Sequence, residues 1–170
     1  IIDERVAAEQ PSDKRAEVFE YFAIEQILKD ESLTSDEILG GSIDGRNDGG
    51  IDGFYIFVNG HYLTDSESFF WPKSNTELNI HIITCKQHET FKQSPLDNLA
   101  ATLSEIFDLS IGSSDLKGDY NEELLRCREL LKFAYKKVSP RLTSFSIEIS
   151  YASRGDTTII GDAINSRGSQ

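Results

Sequence analysis

The chain predicts an α/β domain in which a mixed β-sheet is flanked by helices. Three observations carry that expectation. Apolar residues recur at helical spacing over 15–30, 96–109 and 120–138. They alternate, or run unbroken, over 51–58, 78–85 and 144–151, as in strands. The resulting order is helix, strand hairpin, strand, helix, helix, strand, which suits one sheet covered by helices.

Each element has its own signal. In 15–30 the apolar set is Val18, Phe19, Phe22, Ala23, Ile27 and Leu28, so apolar residues occupy most of the circumference and predict burial. Glu20 and Glu25 lie within that setting. Such glutamates ordinarily keep their heads in water, and a buried one needs a partner, a metal or a raised pKa. Thr34 or Ser35 before Asp36-Glu37 caps a short helical turn. Ile51 to Val58 reads as a strand, and Asn59-Gly60 as a two-residue hairpin turn with 61–64 returning. Phe69, Phe70 and Trp71 form either a core plug or a protein contact, with Pro72 ending regular structure. The helix 96–109 places Leu96, Leu99, Leu103, Ile106 and Phe107 on one face. The helix 120–138 carries Arg126, Arg128, Lys132, Lys136 and Lys137 on its polar surface, and Ser139-Pro140 stops it. Thr157 to Ile160 allows one more short strand. Residues 1–14 are expected to be a polar arm, 15–152 the α/β domain, and 153–170 an extension or the start of a further segment.

Composition bounds the function. A chain of 170 residues suits one domain with a real core. No apolar run approaches a membrane span, and no basic-then-apolar leader is visible, so neither a membrane anchor nor a signal peptide is expected. Cys85 and Cys127 make no CxxC pair, which favours a reduced, cytoplasmic setting. With His61, His81 and His88 they give no zinc-type spacing. The absence of Met suggests a piece of a longer chain with further domains. A net charge of −12 opposes a dedicated nucleic-acid binder but leaves a nuclease open, because an enzyme can confine cations to one face or recruit metal ions.

The chemistry concentrates at residues 40–53, where six of fourteen residues are glycine. Such a segment must turn, with positions that need positive φ or close backbone approach. Asp52 stands where the first strand begins, and Lys86 where the strand 78–86 ends. Antiparallel pairing of those strands would bring both to one edge of the sheet, with Thr84 on the same face as Lys86. An aspartate there suits Mg²⁺ or Mn²⁺, which prefer oxygen ligands. A neighbouring lysine suits the charge that develops on a phosphate under attack. Glu20 or Glu25 would add a second carboxylate. Phosphodiester hydrolysis is the reaction such groups serve. The bland alternative is equally open from the residues alone: Asp48 and Asp52 as turn caps, Lys86 in solvent, the glutamates structural. An EF-hand is excluded by Arg46 and Tyr55 at ligand positions, and neither dinucleotide nor P-loop glycine spacing is present.

Taken together, Phe19-Glu20 in a helix, the run Asn47-Asp48-Gly49-Gly50-Ile51-Asp52-Gly53, and Ile82-Ile83-Thr84-Cys85-Lys86 followed by His88-Glu89-Thr90-Phe91 resemble the restriction-endonuclease-like PD-(D/E)xK superfamily. Within it the chain is most similar to the Mrr-like nucleases and to the amino-terminal region of abortive-infection phage-resistance (AIPR) proteins, over roughly residues 15–110. The resemblance implies a restriction-endonuclease-like mixed sheet and a Mg²⁺- or Mn²⁺-dependent endonuclease of phage defence. DNA is the implied substrate and RNA the alternative, and two copies can pair to cut both strands. It makes Asp52 the metal-binding aspartate, Lys86 the motif lysine, and Glu20 the helix glutamate, with Glu25 in reserve. It makes the carbonyl of Cys85 a further metal ligand, Asp48 a turn-shaping residue and Gln87 a DNA contact. Thr84 departs from the pattern, for it stands where the family has Glu, or Gln in Mrr-like members. A neutral hydroxyl is a poorer ligand than a carboxylate, so three readings stay open. They are an active nuclease, a catalytically inactive nuclease-fold module that binds nucleic acid, and an assembly domain using the Phe69-Phe70-Trp71 patch.

Overall fold

The computed structural model describes residues 15–43, 49–86, 93–153 and 159–165. The expected arm at 1–14, Asp48, and the segment from Gln87 to Phe91 lie outside the described residues.

The architecture is the expected α/β class, a mixed sheet with helices on both faces. Helix α1 (Arg15–Ile27) is followed by a 3₁₀ turn at Lys29–Glu31. Helix α2 (Ser35–Gly40) starts from a reciprocal cap, in which Thr34 Oγ1 accepts the Glu37 N–H and Glu37 accepts the Thr34 N–H. Strand β1 (Gly53–Val58) turns through Asn59 and Gly60, at φ 50° and 82°, into the two-residue β2 (His61–Tyr62). Both turn residues are left-handed, as the Asn-Gly pair predicts. Strand β3 (Thr76–Lys86) leads to α3 (Gln93–Ile106), then α4 (Glu122–Val138), then β4 (Leu142–Ser153) and β5 (Ile159–Asn165). The last strand falls on Ile159–Asn165, later than the 157–160 stretch read from sequence.

The sheet order is β2-β1-β3-β4-β5. All neighbours are antiparallel except β3 and β4. A parallel pair requires a crossover, and α3 with α4 supplies it. This places β3 at the centre and explains its composition. Leu78, Ile80 and Ile82 enter the core beneath α3 and α4, whereas Ile83 and Cys85 enter the core beneath α1. A strand buried on both faces must be apolar at successive positions. Strand β1 does the same, with Phe54, Ile56 and Val58 toward the α3–α4 side and Tyr55 and Phe57 toward α1. Each fully buried residue of this size contributes about 1.5–3 kcal/mol.

Two expectations need correction. Arg128 is not on the polar surface of α4; it is fully buried. Its Nε donates to the Ile106 carbonyl (2.9 Å), Nη1 to Ser113 Oγ (2.9 Å), and Nη2 to the carbonyls of Asp108 and Ile111 (2.8 Å each). Two of those carbonyls stand at the C-terminal end of α3, where the helix dipole favours a cation. Helix α3 itself runs Gln93–Ile106, about a turn earlier than expected, with Pro95 in its first turn, where the missing N–H costs nothing. The aromatic run divides. Phe69 and Trp71 pack on the core at 5.0 Å between ring centres, and Trp71 also meets Phe133. Phe70 is 96% exposed. No described helix is long and apolar enough to cross a membrane.

Candidate functional site

The candidate site lies where β1 begins and β3 ends. The two strands are antiparallel, with Gly53 opposite Ile83. Asp52 therefore falls beside Thr84 and Cys85, and Lys86 closes the strand just beyond. Asp52 extends the ladder in two ways. Its N–H donates to the Ile83 carbonyl (2.8 Å), and its Oδ2 accepts the Cys85 N–H (2.7 Å). A side chain thus takes over where the backbone of β1 bends away. The carboxylate is 7% exposed, and burial of that kind is tolerable because the charge is hydrogen-bonded.

The glycine turn is shaped from both sides. Gly49 and Gly50 have φ of 67° and 89°, so the expected left-handed positions are here. Thr84 Oγ1 donates to the Gly50 carbonyl at 2.7 Å. Thr102, on α3, shares its hydroxyl proton between the carbonyls of Gly49 (2.8 Å) and Asn98 (3.0 Å). Both threonines are buried. Behind them Glu105 accepts the Tyr120 hydroxyl (2.7 Å) and the N–H groups of Lys117 (2.6 Å) and Gly118 (3.0 Å). The Tyr120 bond, followed by that from Lys117, holds the Glu105 carboxyl below its usual pKa. Tyr120 in turn stands against Gly49. The sequence reading misses Thr102, although a signal existed. It sits three residues after Leu99 and four before Ile106, a polar group on the apolar stripe of its helix.

A methyl at Gly49 would lie 2.6 Å from Thr102 Cγ2 on a backbone already at positive φ. Gly49→Ala is expected to lose about 2–4 kcal/mol, combining left-handed strain with overpacking. Gly60→Ala is the control, because Gly60 has φ 82° and nothing within 4 Å of the added carbon. It should lose only about 1–2 kcal/mol. Denaturant titration of both variants checks this, and equal losses would mean that the turn is not packed as described.

The two glutamates are separated by helix geometry. Five residues at about 100° each put Glu25 about 140° round α1 from Glu20. Glu20 lies mid-arc among Phe19, Ala23, Ile24 and Ile27, the arc that packs on the sheet, and is half-buried. Ile24 meets Gly53, and Phe19 shares its cluster with Cys85, so this stretch of α1 lies over the candidate site. Glu25 belongs to a different face. Among the described residues no group of three or more His, Cys, Asp or Glu side chains is arranged to hold a metal ion. The thiol of Cys85 points to the α1 core, as its cluster requires. The other cysteine, Cys127, is also buried, and burial pushes its thiol up to about 11, so it offers no reactive thiolate near neutral pH.

The structure therefore joins Asp52 to Cys85 by a hydrogen bond and ties Thr84 to the adjoining Gly50, with Lys86 next along the strand and the Glu20 face of α1 above. No protein-family model, curated protein or solved structure matches this chain.

Proposed function

We propose that the chain is a metal-dependent nuclease domain that hydrolyses phosphodiester bonds in nucleic acid, with DNA as the preferred substrate and phage defence or restriction as its setting. The observation that carries the reading is the contact between Asp52 Oδ2 and the Cys85 N–H at 2.7 Å. It holds a buried carboxylate against the residue that precedes Lys86, at one end of the sheet. The resemblance to PD-(D/E)xK enzymes assigns the metal-binding aspartate and the motif lysine to these same positions.

The donor chemistry fits a hard divalent cation in part. A carboxylate offers about four acceptor positions, so accepting one N–H is compatible with holding an ion. Asp52, Glu20 and the Cys85 carbonyl would hold Mg²⁺ or Mn²⁺, with waters filling the remaining positions. When bound, the ion supplies Lewis acidity and a water of lowered pKa. The chain's own contribution is positional. Asp52 is fixed by the strand pair, the Gly49-Gly50 turn is held in place by Thr102 and Thr84, and Lys86 is assigned to stabilise charge on the attacked phosphate.

Asp52→Asn tests this without disturbing the fold, because an amide oxygen can still accept the Cys85 N–H. Calorimetric titration with Mn²⁺ is expected to show binding to the native chain and none to Asp52→Asn at the same concentrations. Cleavage of DNA in Mg²⁺ should fall by at least a hundredfold in the same variant. Equal Mn²⁺ binding by both proteins would sink the metal assignment.

A second reading is a catalytically inactive module of the same fold that binds nucleic acid or assembles with other proteins. Thr84 favours it. The residue is 1% exposed and its hydroxyl is given to the Gly50 carbonyl, where the family pattern has a metal-binding side chain.

A further inference from the structure

On the far side of the α3–α4 layer, α4 forms one wall of an open groove of about 1130 Å³, with the 64–66 turn on another side. Three cations line it from α4: Arg126, Lys132 and Lys136. Phe133 lies between the two lysines on the same face and is 46% exposed. The groove has two acids as well, Asp65 turned into its own loop and Glu129 on α4 reaching to Ser113. Asp65 accepts the N–H groups of Glu67 (2.9 Å) and Ser68 (2.8 Å) and the Ser68 hydroxyl (2.7 Å). The Ser68 backbone bond, above all, holds its carboxyl below the usual range. Glu129 accepts the Ser113 hydroxyl and stands 3.9 Å from the buried Arg128 guanidinium.

We infer that this groove is a track for single-stranded nucleic acid, with Arg126, Lys132 and Lys136 meeting phosphates and Phe133 offering a face on which a base stacks. Cations that follow a groove, interleaved with an exposed aromatic, are the combination that single strands require. The overall charge of −12 repels phosphate at long range, and at working salt that repulsion is confined. Potentials decay over about 8 Å there, so a phosphate in the groove feels the local cations first. Arg126 and Lys136 are ten residues apart on one helix, about 15 Å, which spans a few nucleotides. The track deepens the nucleic-acid reading and rests on it for its purpose, whereas binding itself needs no metal.

The test is fluorescence anisotropy of a labelled oligothymidylate with the whole chain, in EDTA, across a salt series. Binding should weaken with salt along a log–log slope of about −2, as three phosphate contacts to a single strand require. R126E/K136E should weaken binding at least tenfold with an unchanged melting temperature. Phe133→Ala should weaken it about fivefold or more, the loss of one stacked base. Asp52→Asn should bind like the native chain. That arm separates the two proposals, since loss of Mn²⁺ binding with intact oligonucleotide binding leaves the track standing when catalysis fails. No binding by the folded native chain overturns the inference, and so does equal affinity in R126E/K136E. Displacement of the oligonucleotide by a glutamate-rich peptide at equal charge concentration would also overturn it, in favour of an acidic protein partner.

Discussion

Arg128→Ala is expected to be the most damaging single substitution in α4, at a position whose residue type suggests the surface. It removes a guanidinium that satisfies the carbonyls of Ile106, Asp108 and Ile111 and the Ser113 hydroxyl at once. Each buried acceptor left without a donor costs about 1–3 kcal/mol, and some will recover water. We expect a net loss of about 3–5 kcal/mol, from several acceptors left unpaired together with the cavity the side chain leaves. In a chain of this size that lowers the melting temperature on the order of 10 °C. Arg128→Lys should recover only part, because one ammonium cannot span a fork of carbonyls. Calorimetric melting of the three proteins decides it. A loss under about 1 kcal/mol for the alanine variant would mean that the 106–113 loop holds its shape without the clamp.

Thr84→Glu comes next in size, and it asks whether the family pattern can simply be restored. Thr84 is buried, and its hydroxyl makes the 2.7 Å bond to Gly50. Glutamate at this position loses that bond and brings a longer, charged group into the interior beside Asp52. Without metal the variant should lose about 3 kcal/mol or more. Thr84→Val, which keeps the shape and drops only the bond, should lose about 1–2 kcal/mol. If the end of β3 holds a divalent ion, Mn²⁺ will raise the melting temperature of Thr84→Glu more than that of the native chain, since an ion that binds only the folded state stabilises it. A glutamate variant as stable as the native chain would overturn the pinning role of Thr84. Equal responses to Mn²⁺ would count against a metal site at this edge.

The fold was largely legible because its signals are local. Near-continuous apolar runs mark β1 and β3, period-two apolarity marks β4, and Asn59-Gly60 marks the hairpin through the left-handed φ that both residues adopt. The pairing of β1 with β3 then brought Asp52 to the end of β3, as expected. What escaped reading depends on groups distant in sequence. Arg128 follows Leu124 by four residues and precedes Leu131 by three, so it occupies the apolar stripe of α4. Its charge suggested solvent, and only the loop beyond α3 explains why it is inside. By residue type Thr84 is a weakened ligand, yet its hydroxyl serves the backbone of a turn whose shape no local pattern specifies. Thr102 shows in the sequence only as a polar residue on the apolar stripe of α3, and its partner Gly49 lies 53 positions away. The position of β5 likewise depends on a partner elsewhere, the edge of β4 with which it pairs.

The two ends of the loop that carries Gly49-Gly50 are joined locally, by the Ile43 N–H to the Asp52 carbonyl at 2.9 Å, and the turn itself is tied to distant elements. Gly49 is tied across 53 positions to Thr102, Gly50 across 34 to Thr84, and Asp52 across 33 to Cys85. The ties to Thr84 and Cys85 need β3 in place and the tie to Thr102 needs α3 docked, so each carries the loop-closure entropy of a longer segment. The candidate centre is therefore complete only when both the β1–β3 pair and the α3 contact are in place. It reports on the integrity of the whole α3–sheet junction, and a lesion far from it in α3 or β3 reaches it without touching Asp52.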